Sequence, residues 1–136
     1  MINEELKERM NQKIEDGEFE SENLLEYMEL FCQICNESED VQEEVEDWSC
    51  TYQTEIDGLK NFWLKISEGK FEYATGSIDN PDNILKTNAD NAAQIFIGDK
   101  DATAAYMSGS LKIEGKLPNA VKLRTLIEIV REELEY

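Results

Sequence analysis

The spacing of apolar side chains changes near residue 50, and this change restricts the fold more than any other feature of the sequence. Up to that point, apolar residues recur every three or four positions, which is the period of a helix. Beyond it they alternate with polar residues, which is the period of a strand with one buried face. The pattern predicts an α+β protein in which a helical segment, residues 1–48, packs on a core formed by residues 49–136.

The helical segment is predicted to contain two amphipathic helices and a charged third stretch. Gly17 ends the first helix, Ser21 is a suitable N-cap for the second, and residues 40–47 form a charged turn or short helix. The apolar rows are Ile2, Leu6, Met10 and Ile14 in the first helix, and Leu24, Leu25, Met28, Phe31, Cys32 and Cys35 in the second. Each row indicates a helix that buries one face.

Five strands are predicted after the change of period. The turn dipeptides Asp57-Gly58 and Glu68-Gly69 separate three alternating runs, which favours an antiparallel meander. The strands cover residues 51–56, 62–66, 71–75, 83–87 and 111–114. A sheet with one polar and one apolar face follows from this alternation.

Three helices are predicted among and after the later strands. Two short ones cover residues 91–97 and 102–108, and the last begins at Pro118, where a missing N–H costs little. The last helix has a wide apolar stripe formed by Ala120, Leu123, Leu126, Ile127, Val130 and Leu134. This stripe predicts that the helix covers the apolar face of the sheet.

The formal charge of −18 restricts the possible partners. Nucleic acid is excluded, because binding phosphates requires clustered Lys and Arg. Tight docking on an anionic membrane is disfavoured for the same reason, so membrane contact is expected to be transient at most. No run of 18 apolar residues and no secretory signal is present, so we expect a cytoplasmic protein.

The sequence offers little for catalysis or for binding a metal. It contains no His, so the commonest general base and the commonest transition-metal ligand are both missing. Cys32 and Cys35 form a CxxC motif, but both lie on the apolar row of a helix, which favours buried thiols over a redox or zinc site. The acidic run 37–47 lacks the spacing of a calcium loop. We therefore expect no cofactor and no metal.

Residues 105–116, Ala-Tyr-Met-Ser-Gly-Ser-Leu-Lys-Ile-Glu-Gly-Lys, resemble the sterol carrier protein 2 family. That family has an aromatic or apolar pair, a polar residue, Gly and an alternating strand ahead of its final helix. Residues 98–101 resemble its Gly-Lys-x-Asp element, residues 80–87 its fourth strand, and residues 120–123 its Ala-x-Lys-Leu helix start. The resemblance covers residues 49–136, whereas the N-terminal helices agree only in type.

The resemblance implies a five-stranded, mostly antiparallel sheet covered by helices, with an apolar tunnel between them. It implies non-catalytic binding and transfer of a lipid: a fatty acid, an acyl-CoA, a sterol or an isoprenoid. Ser108 stands where family members often have Gln, so we expect it to supply the polar contact of the tunnel. We expect the last helix to act as a movable cover.

Ten further residues are predicted to line the tunnel, since a lipid chain is stabilised mainly by leaving water. Met107 suits a variable ligand because its thioether is adaptable. The predicted lining consists of Trp63, Phe71, Tyr73, Phe96, Tyr106, Met107, Ile113, Leu123, Ile127 and Val130. Each of these could equally be an ordinary core residue.

Two other functions remain open at this stage. The chain could be an accessory or dimerisation module for a partner enzyme, with no lipid of its own. It could also be an enzyme that uses carboxylates or Cys50, which a buried carboxylate with a shifted pKa would favour. The sequence is compatible with a monomer or a homodimer.

Overall fold

The computed structural model describes residues 2–135, which form one five-stranded sheet and six α-helices. The strands are β1 (Cys50–Asp57), β2 (Phe62–Ser67), β3 (Lys70–Thr75), β4 (Asn83–Asn88) and β5 (Lys112–Gly115). The helices are α1 (Glu4–Glu15), α2 (Leu24–Glu37), α3 (Glu39–Glu44), α4 (Ala89–Phe96), α5 (Ala102–Ser108) and α6 (Leu117–Glu135). The predicted α+β class, with helices ahead of five strands, is confirmed.

The strand order across the sheet is β3-β2-β1-β4-β5. β1, β2 and β3 form the predicted antiparallel meander, and β5 pairs antiparallel with β4. β4 pairs with β1 in parallel, because the chain crosses from β3 at one edge to the other side of β1. The sheet is therefore mixed but mostly antiparallel.

Alternation along the strands sorts the side chains onto two faces. Phe62, Leu64 and Ile66 of β2 are buried under the helices, whereas Trp63 and Lys65 lie on the outer face. The outer face also carries ion pairs: the Nζ of Lys86 is 2.8 Å from a carboxylate oxygen of Glu114 and 3.9 Å from one of Glu55. The core consequently lies on one side of the sheet.

The N-terminal helices are bonded to the edge of the sheet at two points. The Asn36 side chain accepts a hydrogen bond from Phe71 N at 2.7 Å and donates one to Phe71 O at 3.2 Å. The Gln42 side chain donates to the carbonyls of Cys35 at 2.9 Å and Gly69 at 2.8 Å. These bonds hold α2 and α3 against β3.

Helix α6 is held along its length. The Tyr52 hydroxyl donates to Asn119 O at 2.6 Å near its start. The Nζ of Lys122 donates to Glu44 O at 2.9 Å and lies 5.7 Å from the centre of the Trp48 ring. Nearer its end, Arg131 donates to the carbonyl of Ile97. Three separate parts of the fold therefore restrain this helix.

Two helices are capped differently from the sequence prediction. Ser21 does not cap α2, because residues 21–23 form a 3-10 turn in which the Asn23 side chain accepts from Glu20 N at 2.9 Å. Helix α4 begins at Ala89 rather than residue 91, because the Asn88 side chain accepts from Asn91 N at 2.8 Å and caps the helix earlier.

Candidate functional site

An apolar groove of about 290 Å³ lies at the surface between α5 and α6. Its walls are formed by Tyr106 and Met107 of α5 and by Leu117 and Val121 of α6, and Ile113 of β5 also lines it. These walls contain the large apolar side chains that stay exposed: Met107 is 80% exposed, Val121 54%, Leu117 48% and Tyr106 40%. Exposed apolar side chains gathered around one groove make it a candidate binding or interaction site.

A second apolar cavity, of about 30 Å³, lies directly beneath the groove. Four residues line both spaces, Ala102, Ile113, Ala120 and Arg124, so the groove and the cavity adjoin and share a wall. A space of this size has room for a few water molecules at most, and it is about a tenth of a usual ligand pocket. The space between sheet and helices is therefore almost filled, and the predicted tunnel is closed in this conformation.

Two polar groups line the cavity, one half-exposed and one buried. Arg124 lines both spaces, and its Nε is 3.0 Å from Asp101 Oδ1 and 3.5 Å from Glu128 Oε1. Thr54 of β1 lines the buried cavity with 1% of its surface exposed. Among residues 2–135, no hydrogen-bond partner is found for its hydroxyl. The mouth thus carries a paired cation, and the interior carries an unsatisfied hydroxyl.

Six of the predicted lining residues meet at this site. Phe96, Leu123 and Ile127 line the buried cavity, and Ile113 lines both spaces. Tyr106 and Met107 line the groove only. They meet because α4, α5, α6 and β5 converge over the β4–β5 edge of the sheet.

The other five predicted residues lie elsewhere. Trp63 points to the outer face of the sheet, and Phe71 and Tyr73 lie on β3 at the far edge, where the Phe71 ring packs 6.5 Å from that of Phe31. Val130 is fully buried but lines neither space. The hydroxyl of Ser108 donates back to Ala105 O at 3.1 Å at the end of α5, so it does not reach the cavity.

Sequence reasoning missed part of the site. The groove residues Leu117 and Val121 were not predicted. They are four positions apart and so lie side by side on α6, next to its main apolar stripe, which indicates a second apolar surface on this helix. The omitted cavity residues include Thr54, Leu85, Ala92, Ile95 and Leu111. They have the spacing of ordinary core residues, so periodicity alone does not single them out.

The unsatisfied Thr54 hydroxyl leads to a stability prediction. Thr54→Val keeps the shape and removes a buried polar group, so the free energy of unfolding should rise by about 1 kcal/mol. Thr87→Val is the matched control, because Thr87 lines the same cavity but its hydroxyl donates to Ser110 O at 2.8 Å. Losing this hydrogen bond should lower the free energy of unfolding by about 1 kcal/mol. Urea unfolding measures both, and shifts of the same sign would contradict this assignment.

The three cysteines are buried and free, so they do not form a disulfide with one another. Burial raises the pKa of the Cys32 thiol to about 12 and that of Cys50 to about 11, and it raises the pKa of Cys35 well above its usual value. A reactive cysteine has a lowered pKa, so these thiols are poor nucleophiles. Among residues 2–135, no group of three or more acidic or Cys side chains is arranged to hold a metal ion.

The raised thiol pKa values predict a loss of stability in alkali. In the unfolded chain the Cys32 thiol ionises near pH 8.5, whereas in the folded protein it stays protonated until about pH 12. The contribution of this thiol to the free energy of unfolding is therefore complete below pH 8.5 and is lost as the pH rises toward 12. At pH 10 the loss from Cys32 is about 2 kcal/mol. Urea unfolding measures the free energy of unfolding at pH 8 and at pH 10. Between these two values it should fall less for Cys32→Ala than for the unaltered protein, and equal falls would contradict the prediction.

The mixed sheet, the covering helices and the apolar path beneath α5 and α6 define a class of small α+β domain that can enclose an apolar ligand. The profile of the SCP-2 sterol transfer family matches residues 31–128. The chain belongs to this family, whose domains bind and transfer lipids. Among residues 2–135, no helix combines the length and apolar character needed to cross a bilayer.

Individual relatives agree with this assignment. Over 87 residues the chain is 33% identical to hydroxysteroid dehydrogenase-like protein 2 of Bos taurus, in a segment that covers 61% of this chain and 21% of that protein. The chain therefore spans about a fifth of the length of this relative.

Two solved structures share the fold. A UbiJ-SCP2 ubiquinone synthesis protein superposes with a TM-score of 0.64 at 16% identity, covering 74% of this chain and 89% of that one. The sterol carrier protein domain 2 of Helicoverpa armigera superposes with a TM-score of 0.62 at 20% identity, covering 85% of this chain and 91% of that one. At these identities, the likeness concerns the fold.

Proposed function

We propose that this chain binds the hydrocarbon chain of one lipid between α5 and α6 and carries it without covalent change. The observation that supports this most strongly is that the exposed apolar groove adjoins an apolar cavity, with Ala102, Ile113, Ala120 and Arg124 lining both. In the proposed site, Phe96, Leu123 and Ile127 contact the buried end of the ligand, and Tyr106 and Met107 cover the rest.

Binding requires the cavity to open, because ligand pockets usually exceed about 300 Å³ and most of the present volume is surface groove. Helix α5 is the element we propose to move. It buries only Ala105, whereas α6 is bonded to the sheet, to the end of α3 and to the end of α4. This differs from the expectation that the last helix is the cover. Each methylene taken from water contributes about 0.8 kcal/mol toward such a movement.

The two polar groups favour an acidic lipid bound with its tail inward. Arg124 at the mouth is suited to a carboxylate or phosphate, because a guanidinium donates two parallel hydrogen bonds to such groups. Its present ion pairs are half-exposed and cost little to exchange. Fatty acids and acyl-CoA esters are therefore preferred to isoprenoids. A sterol is the alternative if its hydroxyl pairs with Thr54.

A second function is favoured by the small size of the buried cavity. A domain whose interior stays filled would bind no lipid and would serve as an accessory or dimerisation module for a partner enzyme. The match to a segment of a longer relative is compatible with this role. The two functions differ in whether lipid enters the protein.

Native mass spectrometry of the intact chain with palmitic acid in detergent-free buffer tests the proposal. We expect one palmitate per chain, with cholesterol binding more weakly, and the same spectra distinguish monomer from homodimer. A chain that stays empty with palmitate, palmitoyl-CoA, cholesterol and a polyisoprenoid would contradict the carrier function and favour the accessory role. Our proposal includes a cytoplasmic location, which cell fractionation tests.

A further inference from the structure

We propose that two copies of this chain form a homodimer by pairing their β5 strands edge to edge. The inference goes beyond the proposed function, because it does not depend on whether lipid enters the protein. It names an interaction surface, the outer edge of β5 with the apolar side chains beside it, and its occupant, a second copy of the same chain.

β5 lies at an open edge of the sheet. The strand order β3-β2-β1-β4-β5 leaves β5 and β3 with one strand neighbour each. At β3, the Asn36 side chain of α2 is bonded to both Phe71 N and Phe71 O, so that edge is partly covered. Among residues 2–135, no side chain is found bonded to the backbone of residues 112–115. The edge of β5 can therefore accept another strand.

The direction of the backbone groups along β5 restricts how a second strand pairs with it. Leu111 N donates to Ala105 O at 3.1 Å, so the backbone of Leu111 points away from β4. Because this direction alternates along a strand, Ile113 also points its N–H and C=O outward. The alternation followed across the sheet from the bond between Gly76 N and Asn61 O gives the same direction.

One register satisfies both the backbone and the charges. In an antiparallel pair about a two-fold axis, Ile113 lies opposite Ile113 of the second copy and exchanges two backbone hydrogen bonds with it. Lys112 then lies opposite Glu114 of the second copy, and the axis repeats this opposite-charge pair. Moving the axis by one residue places Lys112 opposite Lys112, or Glu114 opposite Glu114, which is unfavourable.

The side chains of these two charged residues are available for such pairs. Both are exposed. Among the residues that the structure describes, Lys112 has no ion pair and no side-chain hydrogen bond. Glu114 uses Oε2 for its ion pair with Lys86, which leaves Oε1 for a second cation. Charges on a short edge strand usually prevent pairing, but these two have opposite signs and are complementary to a second copy of the same strand.

Exposed apolar side chains lie beside the same edge. Ile113 lines the groove between α5 and α6, so the grooves of two paired copies flank the axis. Antiparallel pairing places Gly115 of the second copy next to Leu111, so the start of its α6 lies beside the end of α5. Met107 of α5 then faces the first turn of that helix, which contains Leu117. The axis repeats this apolar contact, and its burial stabilises the pair.

The formal charge of −18 on each chain opposes association at long range. The Debye length is about 30 Å at about 0.01 M salt and about 8 Å at about 0.15 M. At physiological salt the repulsion between whole chains is therefore screened, whereas the contacts at the axis remain. The homodimer should consequently be tighter at physiological salt than at low salt.

Sedimentation equilibrium of the lipid-free chain tests the pairing of β5. Lys112→Glu places like charges opposite each other on both sides of the axis, so the dissociation constant of the dimer should rise about tenfold or more. Lys65→Glu is the matched control, because it makes the same change of charge at an exposed position on β2, away from this edge. Its dissociation constant should stay within about twofold of that of the unaltered chain.

A mixture of two variants tests the register. Lys112→Glu has two acidic residues on β5 and Glu114→Lys has two basic ones, so each is repelled by its own copy and attracted by the other variant. With one variant isotopically labelled, native mass spectrometry should show more heterodimer than either homodimer. The change at Glu114 also removes a half-exposed ion pair with Lys86, which costs the fold little.

The apolar part of the interface has its own test. Met107→Glu should raise the dissociation constant about tenfold or more, because an apolar contact is replaced by a charge. Ala104→Glu is the control, since Ala104 is exposed on the same helix but does not line the groove. It should stay within about twofold of the unaltered chain.

Several outcomes would overturn the inference. These are a chain that stays monomeric at its highest soluble concentration, a dimer that Lys112→Glu and Lys65→Glu weaken equally, and a mixture without excess heterodimer. The inference and the proposed function fail separately. A monomer that binds palmitate would contradict the homodimer alone, and a dimer that binds no lipid would contradict the carrier function alone.

Discussion

Gly115→Ala is expected to lower the free energy of unfolding by about 3 kcal/mol or more. Gly115 has a φ of +101°, and a Cβ at this position would lie 2.2 Å from the carbonyl oxygen of Asp82. Backbone cannot yield as a flexible side chain does, so β5 would have to move away from the start of β4. The added strain of the positive φ acts in the same direction.

The control is Gly17→Ala, since Gly17 also has a positive φ, of +70°, but nothing lies within 4 Å of the new Cβ. Only the conformational cost applies there, about 1 kcal/mol. Urea unfolding of both variants measures the difference. Equal losses would show that the close approach to Asp82 does not matter.

The junction at Gly115 also positions the groove. The side chain of Asn83 donates to Lys116 O at 3.0 Å and accepts from Asn119 Nδ2 at 2.9 Å, so β4 sets where α6 begins. Leu117, a wall of the groove, lies between these two bonded residues. Any Gly115→Ala protein that still folds should therefore also bind palmitate more weakly.

Ala120→Phe should weaken palmitate binding at least about tenfold, because losing contact with two or more methylenes removes more than about 1.4 kcal/mol. Ala120 lines both the groove and the cavity, and a benzyl group there would occupy the space that the proposed ligand needs between α5 and α6. The groove of about 290 Å³ gives the ring space, so the free energy of unfolding should change by less than about 1 kcal/mol.

Ala104→Phe is the matched control, because Ala104 is exposed on α5 and lines neither the groove nor the cavity. Binding is measured by native mass spectrometry with palmitate, and stability by urea unfolding. If Ala120→Phe binds as tightly as the control, the lipid does not pass between α5 and α6. If both variants lose binding, the ring disturbs α5 in general.

Local spacing predicted most elements because each depends on neighbours within one or two turns. The antiparallel meander followed from turn dipeptides that join adjacent strands, and α6 followed from its apolar stripe. The same alternation places Trp63 on the face opposite Leu64, so its inclusion among the lining residues conflicted with the period-two pattern.

The parallel pairing of β1 with β4 had no local signal, because it depends on a crossover between segments about thirty residues apart. The same holds for the small volume of the cavity. Periodicity identifies which side chains face inward, whereas the volume depends on how closely opposing elements approach. The Thr54 hydroxyl became notable only when its surroundings were complete, since a Thr in a strand is ordinary.

The sequence by itself determined the α+β class, the positions of the strands and helices, the absence of histidine chemistry and the family resemblance. These follow from residue type and short-range spacing, which a chain retains before it folds. Only the tertiary structure decided that the path is nearly closed, that Tyr106 and Met107 meet Leu117 and Val121 at the surface, and that α5 is held less firmly than α6. Those properties arise from contacts between distant segments, and their energies depend on distances that no local pattern contains.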